Sequence, residues 1–399
     1  MRRPRALPHP SGAGGWHAGC TSGRMLQAVV RLPEDLTADE AATWRAFCAA
    51  APDYGDPLLG PDFARLASLA RPDARVAVLR RGRRIVGFLA HHRPRPGPAL
   101  PIGAAFSDVH ALVASPGERI DGAEALGAAG LCGLRAHGLV DPGGAFPAAR
   151  PLAGPAYVLA PDPGAALYYQ ELRRANPKRF RNFGRLEHKL ERSWGPLTLN
   201  ACETSPPVLD QLIAWKRRQL RRTGQHDVFR PAWARALMHH ALAGGGELRG
   251  VMMTLRAGGR LAAGHFGVAV GRRAHGWLSV IDPECAACGP GQILTFRTAG
   301  LLEAAGLDSY DLGPGSDHFK APFATATVSL SEGLVGAAGW FGAALRVADL
   351  AIAEPGPMRR MAKRLDLIDA AETSFLGRAR GWIEAVAATS HAIVGAMQT

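Results

Sequence analysis

The sequence lacks any long apolar segment. No uninterrupted run of about 18 apolar residues occurs among its 399 residues, so no transmembrane helix is expected. The first 24 residues are basic but contain no apolar stretch of the kind that a signal peptide carries. Cysteine is scarce as well, with six residues scattered over the chain, so a disulfide framework is not expected. The reducing cytoplasm is therefore the predicted location.

Only Cys285 and Cys288 lie close together, just before a predicted helix. A redox pair of the thioredoxin type would need a βαβ context, and a zinc site would need about four ligands. The sequence offers neither that context nor a second cysteine pair. Neither interpretation is favoured, and no metal is expected.

Acidic residues are the scarcer charge. The chain has 34 Asp and Glu against 47 Lys and Arg, which gives a formal net charge of +13 and a pI near 10.1. Such an excess suits nucleic acid, an anionic membrane surface or an anionic substrate such as CoA. A GC-rich genome also produces abundant Arg, Ala and Gly, so the charge alone selects none of these partners. The globular composition and the length allow two domains, or one large domain with a duplicated core.

The most informative pattern lies between residues 249 and 335. The runs RGVMMTLR and LAAGHFGVAV flank a turn with two glycines, and glycine supplies the positive φ that a tight hairpin needs. A third strand is predicted to end near Ile281. A glycine-rich loop then opens a helix from Gln292 to Ala305, followed by the short strand SYDLG. A closing strand is predicted from Thr325 to Val335.

A similar hairpin occurs about 175 residues earlier, where RVAVLR and RIVGFLAHH flank another glycine turn. Each hairpin is followed by a helix, which in the earlier copy is predicted over Ala123–His137. These two copies favour a duplicated core. Coincidence between two ordinary hairpins is the alternative.

Three antiparallel strands, a glycine-rich loop that opens a helix and a further strand resemble the core of the GNAT acyltransferases. The segments AWKRRQLRRTG, LAAGHFGV, CGPGQILTF and YDLGPGSDHFKAPFA are similar to the CelD/BcsL branch, bacterial proteins associated with cellulose and exopolysaccharide biosynthesis. The resemblance covers residues 53–335. It implies an α+β fold with a GNAT-like mixed sheet flanked by helices, a tandem core and a C-terminal helical tail.

Four parts are predicted along the chain. Residues 1–24 are expected to be disordered, and residues 25–155 form an N-terminal GNAT-like half that has degenerated. The acyltransferase domain spans residues 156–336, and residues 337–399 form the helical tail. A proline-rich segment, residues 142–163, marks the joint between the halves. Amphipathic helices such as those of the tail normally pack on their own domain, and docking on a membrane or a partner is the alternative.

The glycine-rich loop is the candidate site for CoA. A helix N-terminus carries unpaired backbone N–H groups and partial positive charge, and glycines let a pyrophosphate approach the backbone. In the GNAT family this loop holds the pyrophosphate of acyl-CoA, so the resemblance assigns Gly289, Gly291 and Gln292 to the co-substrate, expected to be acetyl-CoA. A plain helix-capping loop is the alternative.

His265 is a candidate general base. Alternation along the strand places it on one face with Ala263 and Gly267, whose small side chains leave room for a ligand. An imidazole can take a proton near neutral pH. A buried structural histidine is the alternative.

Asp311 ends a predicted strand, and Asp317 and Lys320 follow in a glycine loop, where residues that contact ligands are often found. By resemblance this segment corresponds to the family's Asp-(Leu/Phe)-Gly-x-Gly-Asp-x-x-Lys element. Pro314 and Ser316 alter the pattern here, which affects the alignment of Asp317. These three residues complete the predicted catalytic set.

Two further groups are assigned to substrate binding by resemblance. Trp215, Lys216, Gln219 and Arg222 match the family's tryptophan-lysine and arginine-threonine-glycine positions, and helical spacing puts Trp215 and Gln219 on one face. They could line an acceptor groove or bind CoA phosphates, and a solvated basic face is the alternative. Asp108 and His110 match an aspartate-tyrosine-histidine element, with valine replacing the aromatic residue.

The resemblance implies an acyltransferase that acetylates an amine or hydroxyl of a sugar or cell-envelope precursor by direct attack on the thioester. Its expected partners are a saccharide acceptor and polysaccharide-synthesis machinery, which would place it in the cytoplasm or at the periphery of the inner membrane. Two alternatives stay open. A Fem-type transferase would use aminoacyl-tRNA, which the basic charge suits, and a non-catalytic protein would serve an exopolysaccharide complex.

Overall fold

A computed structural model describes residues 25–93, 97–315, 317–351 and 356–396. The N-terminal segment predicted to be disordered lies outside these residues. The described strands form three sheets. Among the described helices, none combines the length and the apolar character that crossing a bilayer would require.

The strands are, in chain order, Leu26–Arg31 (β1), Ala74–Arg81 (β2), Arg84–His92 (β3), Leu100–Pro101 (β4), Leu112–Ala114 (β5), Gly133–Leu139 (β6), Arg150–Pro151 (β7), Ala156–Leu159 (β8), Leu197–Asn200 (β9), Leu248–Ala257 (β10), Arg260–Val270 (β11), Arg273–Ile281 (β12), Ser309–Pro314 (β13), Ala326–Val328 (β14) and Ser331–Gly336 (β15). The first sheet has the order β1-β2-β3-β4, with β5 also paired to β3. The large sheet has the order β14-β8-β13-β12-β11-β10-β9, and the small one β6-β15-β7.

The helices are Ala38–Ala50 (α1), Pro61–Ala70 (α2), Gly122–Ala128 (α3), Ala165–Ala175 (α4), Pro177–Trp194 (α5), Pro206–Arg222 (α6), Ala232–Ala243 (α7), Pro290–Ala304 (α8), Asp317–Lys320 (α9), Trp340–Ala351 (α10), Pro357–Ala371 (α11) and Phe375–Ala396 (α12). Local sequence accounts for several of their boundaries. Thr37 begins α1 with a capping box, in which its hydroxyl accepts the Glu40 N–H and the Glu40 carboxylate accepts the Thr37 N–H. Asn176 separates α4 from α5 and caps α5 through the Arg179 N–H.

Both halves of the chain follow the same order of elements. In the first half β1 is followed by α1 and α2, the hairpin β2–β3, the short strands β4 and β5, α3 and β6. In the second half β9 is followed by α6 and α7, the strands β10 to β12, α8 and β13. The two hairpins even share a bulge at the same Leu-Arg step, Leu79–Arg80 and Leu255–Arg256. The predicted α+β fold with a duplicated core is thus confirmed.

The two halves exchange strands. β8 leaves the first half and pairs with β13 and β14 in the large sheet, whereas β15 follows the second half and pairs with β6 and β7 in the small sheet. The end of the first half therefore supplies β8 to the large sheet, and the end of the second half supplies β15 to the small sheet. The single closing strand predicted over Thr325–Val335 is wrong, because the chain passes between two sheets after Val328.

The helix predicted over Ala123–His137 is also wrong in its second part. α3 ends at Ala128, and the Leu131 N–H donates to the Leu126 carbonyl around Gly130, which has φ 66°. Such a bond across a left-handed glycine terminates a helix. The residues that follow form β6 instead.

One hydrophobic core spans the halves. It runs from Trp44 and Phe88 of the first half to Phe229 and Trp233 of the second. Phe106 connects them, with its ring centroid 5.0 Å from that of Phe229 and 5.6 Å from that of Trp233. Because each buried aromatic contributes about 2 kcal/mol of burial energy, this shared core and the exchanged strands hold the halves together.

The tail closes over the junction of the halves. Backbone carbonyls at the end of α11 accept hydrogen bonds from both sides: Ala370 from Arg71 at 2.8 Å, and Ala371 from the Trp233 indole at 2.8 Å. Ile368 is fully buried beneath α12. The tail helices thus pack on their own protein along one face.

The close approach of β11 to β12 gives a stability prediction. A Cβ at Gly267 would lie 1.9 Å from the backbone oxygen of His275. We expect Gly267→Ala to lower the free energy of unfolding by about 2 kcal/mol or more, because the two strands must separate. Gly184→Ala is the matched control, since a Cβ at Gly184 in α5 meets nothing within 4 Å. That variant should be neutral or stabilised in urea unfolding, and equal midpoints for the two variants would contradict the prediction.

Candidate active site

A cavity of about 800 Å³ opens where two parallel strands of the large sheet separate. β12 pairs with β13 only over Arg273–His275. Just beyond, Trp277 is the extra residue of a bulge against β11, and a bulge bends its strand. Gly276 makes room for Tyr310 at this point, because a Cβ there would lie 2.5 Å from the tyrosine hydroxyl. The edge of β12 from Gly276 to Ile281 therefore faces the cavity.

The loop after β12 is held in a fixed shape. Asp282 caps the 3₁₀ helix Pro283–Cys288, because its carboxylate accepts the Glu284 N–H at 3.1 Å. The same carboxylate forms an ion pair with Arg260 at 2.6 Å. On the other side, the Lys189 ammonium of α5 donates to the Ala287 carbonyl at 2.7 Å. The free thiols of the cysteine pair are buried among apolar side chains here.

The N-terminus of α8 presents a free donor at the cavity. Gly289 has φ 63°, a conformation that suits glycine, and Pro290 then begins the helix. The N–H groups of Gln292 and Ile293 both donate to the Gly289 carbonyl. Within the described chain, the Gly291 N–H has no hydrogen-bond partner, and Gly289, Gly291 and Gln292 all line the cavity. This end of the helix can therefore bind an anionic group such as a phosphate.

Helix α6 forms another wall. Trp215, Lys216, Gln219 and Arg222 line the cavity, together with Arg218. Burial lowers the pKa of Lys216. The predicted helix face thus lies on the cavity, and the ligand group that it contacts stays a prediction.

Charged side chains from both halves meet around His275. Its Nδ1 is hydrogen-bonded to Asp56 Oδ2 at 2.8 Å, and its Nε2 lies 2.7 Å from Asp108 Oδ1, at an angle outside the range of a hydrogen bond. The polar atoms of Asp56, His275 and Asp311 all lie within 4.8 Å of one another. The Asp108 side chain keeps 34% of its surface accessible and lines the cavity. The cluster therefore contributes Asp108 to the cavity that the glycine loop also lines.

The charges of this cluster shift its pKa values in opposite directions. Burial disfavours an imidazolium, but the carboxylates of Asp56 and Asp108 outweigh it and raise the pKa of His275 well above its ordinary value. Burial likewise opposes ionisation of Asp108, but the positive His275 outweighs it and lowers the pKa of Asp108. Burial raises the pKa of Asp311 to about 7, and the neighbouring carboxylates add to the effect. The cluster can therefore take up or release a proton near neutral pH.

The cluster does not fit a metal ion as it stands. Three of its residues have the ligand types and the spacing of a metal site. The carboxylates of Asp56 and Asp108, however, lie 2.8 Å and 2.7 Å from the two nitrogens of His275 and raise its pKa well above its ordinary value, which favours the form with a proton on each nitrogen. An imidazolium has no free lone pair for a metal. We therefore describe the group as an ionic network.

His265 lies buried between the large sheet and α8, on the face that the alternation predicted. Its Nε2 lies 3.4 Å from Thr295 Oγ1, and the Thr295 hydroxyl also lies 2.9 Å from the Gly291 carbonyl, to which it donates. Burial lowers the pKa of His265 to about 4. The imidazole is therefore neutral at pH 7. Its pKa is also well below the value near the working pH that suits a general base.

Of the remaining predicted residues, Lys320 lines the cavity and His110 does not. Lys320 lines the cavity and donates to the carbonyls of Gly313 at 3.2 Å and Pro314 at 2.8 Å. Asp317 begins α9, and its side chain lies outside the described part of the structure. His110 is buried in the first half, accepts the His137 N–H at 3.2 Å and does not line this cavity. Burial lowers its pKa to about 3.

Sequence reasoning missed four residues that the structure brings to the site: Asp56, His275, Thr295 and Tyr310. His275 could have been noticed, because a histidine interrupts a largely apolar strand and is followed by a glycine, Gly276. In the structure that glycine pairs with Gly267 of β11. Asp56 had no such signal, since it precedes a proline in a loop and reads as an ordinary cap.

A family comparison covers this part of the chain. Residues 177–321 match the family model described as an acetyltransferase (GNAT) domain. The matched range contains α6, the strands β10 to β13, the glycine loop and Lys320. Over this region the chain therefore matches a GNAT acetyltransferase domain, which supports an acyltransferase activity. A search of curated proteins found no significant match.

Solved structures with a similar arrangement include the C-terminal domain of a putative lysylphosphatidylglycerol synthetase from Agrobacterium fabrum, at 15% identity and a TM-score of 0.44, with 79% of this chain and 96% of that chain covered. A tandem GNAT protein from the clavulanic acid biosynthesis pathway has 16% identity and a TM-score of 0.44, with 79% and 99% covered. FemX has 11% identity and a TM-score of 0.47, with 76% and 95% covered. Likeness at this level carries no argument about activity.

The ionic network gives a second stability prediction. Replacement of His275 by Gln leaves two buried carboxylates without their cation, so we expect the free energy of unfolding to fall by about 3 kcal/mol. The additional change Asp56→Asn should be less harmful in that variant than in the wild type, by about 1 kcal/mol. His137→Gln is the matched control, because that histidine also pairs with a carboxylate, Glu332, but is half exposed.

Thermal or urea unfolding of the wild type, the two single variants, the double variant and the control measures both effects. The control should lose less than about 1 kcal/mol. Strict additivity of the His275 and Asp56 changes would mean that the two groups do not act as a pair.

Proposed function

We propose that the protein transfers an acyl group, acetyl in the first place, from acyl-CoA to an amino or hydroxyl group of a sugar or related cell-envelope precursor. The observation that carries the proposal is one cavity that joins the free N–H of Gly291 to the carboxylate of Asp108. An anion-binding loop at one end suits the phosphates of CoA. A carboxylate cluster at the other suits a nucleophile that must lose a proton.

The edge of β12 supports the position of the donor. The pantetheine arm of CoA contains amide groups, and the backbone from Gly276 to Ile281 can hydrogen-bond them as it would a neighbouring strand. A pyrophosphate at Gly291 would then place the thioester towards Tyr310. The cavity volume also falls within the range of about 300–1,000 Å³ that is usual for such ligands.

The reaction needs no covalent enzyme intermediate. The nucleophile attacks the thioester carbon, its new bond to that carbon forms and the carbon–sulfur bond breaks. Its proton passes to Asp108, and Asp311, with a pKa of about 7, can retain it. Burial raises the pKa of Tyr310, so its hydroxyl stays protonated and can donate to the departing thiolate.

Asp108 also lines a second cavity, of about 380 Å³, between the small sheet and α11. The other carboxylates of that cavity each pair with a cation: Asp349 with Arg150, Asp366 with Arg135, and Glu332 with Lys363. The partner of Asp108, His275, lies on the far side from this cavity. An acceptor with a primary ammonium could therefore reach Asp108 from here, opposite the CoA. For this reason we favour an amine over a hydroxyl.

The identity of the acceptor rests on the resemblance to the CelD/BcsL branch. A sugar or exopolysaccharide precursor, acetylated in the cytoplasm beside membrane-bound synthesis machinery, fits that resemblance. Acetyl-CoA is the donor that it favours.

One observation favours a different acyl donor. α5 exposes a cluster of cations beside the glycine loop, where Lys178, Arg181 and Arg185 surround a shallow depression. A polyanion such as aminoacyl-tRNA would suit this surface. In that case the protein would bind tRNA rather than acetyl-CoA.

Calorimetric titration with acetyl-CoA tests the donor. We expect saturable binding that Gly291→Asp weakens about tenfold or more, because its carboxylate would face the pyrophosphate. Gly291→Asn is the control for bulk, since a side chain there meets Ile281 at 3.0 Å whatever its charge. Gly127→Asp is the control for charge, on an exposed position of α3 where a Cβ meets nothing within 4 Å. No binding by the folded wild type would refute the acyl-CoA proposal.

The pH dependence of acetyl transfer to D-glucosamine, with kcat/KM calculated from the concentration of the unprotonated amine, tests the proton acceptor. The ionised cluster is the active form, so kcat/KM should rise with pH through an apparent pKa near 7. Asp311→Asn should remove this limb, and Asp108→Asn should lower kcat/KM about 100-fold. His265→Gln should keep the limb, because the pKa of His265 is about 4. A limb near 7 that persists in Asp311→Asn would exclude this assignment.

A further inference from the structure

The outward face of α10 consists entirely of apolar residues. Its exposed positions are Trp340, Phe341, Ala344, Val347, Ala348, Leu350 and Ala351. A surface helix normally turns its apolar stripe towards the core and its polar face to water. α10 is turned the other way.

The packing of α10 fixes this orientation. Gly342 lies against β15, where a Cβ would come within 1.9 Å of the Ala337 carbonyl oxygen. The two charged residues of the helix point inward as a result: Arg346 donates to the Gly336 carbonyl, and Asp349 pairs with Arg150. Rotation of the helix would break these contacts and drive side chains into β15. The apolar face is therefore held towards the outside.

α12 also exposes apolar side chains. Phe375, Leu376, Trp382, Ile383 and Val386 are exposed, whereas Gly381 and Ala385 face the protein. Eleven of the seventeen large apolar side chains that are exposed in the described chain lie between residues 340 and 386. The exposed apolar surface is thus concentrated on the tail, and such concentration marks an interaction site.

The charges around this surface indicate what covers it. Four of the five described carboxylates of the tail form ion pairs with arginines: Asp349 with Arg150, Asp366 with Arg135, Glu372 with Arg230, and Glu384 with Arg380. The fifth, Asp369, accepts a hydrogen bond from the Trp382 indole. Arg360 and Arg378, by contrast, have no carboxylate within ion-pair distance among the described residues. The tail therefore combines exposed apolar side chains with cations that no carboxylate neutralises, which matches an anionic lipid headgroup layer.

Neither helix suits insertion across a bilayer, because α12 is long enough at 22 residues but contains Arg378, Arg380 and Glu384. α10 has 12 residues, so it is about 18 Å long, whereas the hydrocarbon layer is about 30 Å thick. Two exposed tryptophans, Trp340 with 82% of its surface accessible and Trp382 with 38%, suit the boundary between headgroups and acyl chains. We propose that α10 and α12 dock the protein on the surface of an anionic phospholipid bilayer.

Co-sedimentation of the full chain with vesicles tests the proposal. We expect binding to vesicles of phosphatidylcholine with 30% phosphatidylglycerol, and much weaker binding to phosphatidylcholine alone. The double variant Trp340→Ser/Val347→Ser should bind the anionic vesicles with a partition coefficient lower by about tenfold or more. Leu69→Ser is the matched control, because Leu69 is also 67% exposed but lies on α2, away from the tail. Arg360→Glu with Arg378→Glu should weaken binding to the anionic vesicles and leave binding to the neutral ones unchanged.

Unchanged melting temperature and acetyl-CoA titration of each variant would show that the fold is intact. Absence of wild-type binding to the anionic vesicles overturns the proposal, as does equal binding by the Trp340/Val347 variant. Light scattering tests the other possible occupant of this surface, a second copy of the chain. Self-association that the same double substitution abolishes, without any vesicle binding, would assign the surface to a second copy of the chain and not to lipid.

Discussion

The imidazolium of His275, held between Asp56 and Asp108, is the interaction on which the rest of the site depends. Two of its three charges come from the first half of the chain and one from the second. The two ionic contacts hold β12 at His275, the last residue that pairs with β13, and the cavity begins just beyond it. The network also acts on the protonation of its neighbours: burial raises the pKa of Asp311 to about 7, the carboxylates of Asp56 and Asp108 add to the rise, and the positive His275 opposes it. The same three side chains thus affect both the geometry and the proton affinity of the site.

Such a network gives the first half a part in the site. Its α3 is short and is capped by Asp121 through the Glu124 N–H, and the Gly122 N–H donates to the Ala145 carbonyl. What it supplies instead is Asp56, Asp108 and half of a shared core. The chemistry of the second half therefore depends on side chains that the first half positions.

Local patterns were sufficient for much of the fold. The glycine turns, the Leu-Arg steps and the glycine-rich loop before α8 predicted the hairpins, the duplication and the cavity wall, because each of these is determined by a few neighbouring residues. The alternation around His265 predicted its face correctly. Its role could not be read in the same way, since a pKa of about 4 results from burial under α8 and not from the strand that carries it.

The misses have one physical cause, which is dependence on distant segments. Only two residues separate β14 from β15 in sequence, and their pairing partners, β8 and β6, divide them between two sheets. Asp56 and His275 are 219 residues apart, and nothing near either one indicates the other. The exposed face of α10 was likewise hidden, because an amphipathic pattern gives the width of an apolar stripe but not the direction in which it points.

The exchange of β8 and β15 has a consequence for synthesis of the protein. β6 leaves the ribosome about 200 residues before β15, its neighbour in the small sheet, so the first half emerges with an open strand edge. That edge stays unpaired until β15 has been synthesised. A nascent chain released or cut after β14 would keep it exposed to chaperones and proteases. Completion of the small sheet is thereby tied to synthesis of a strand near residue 331.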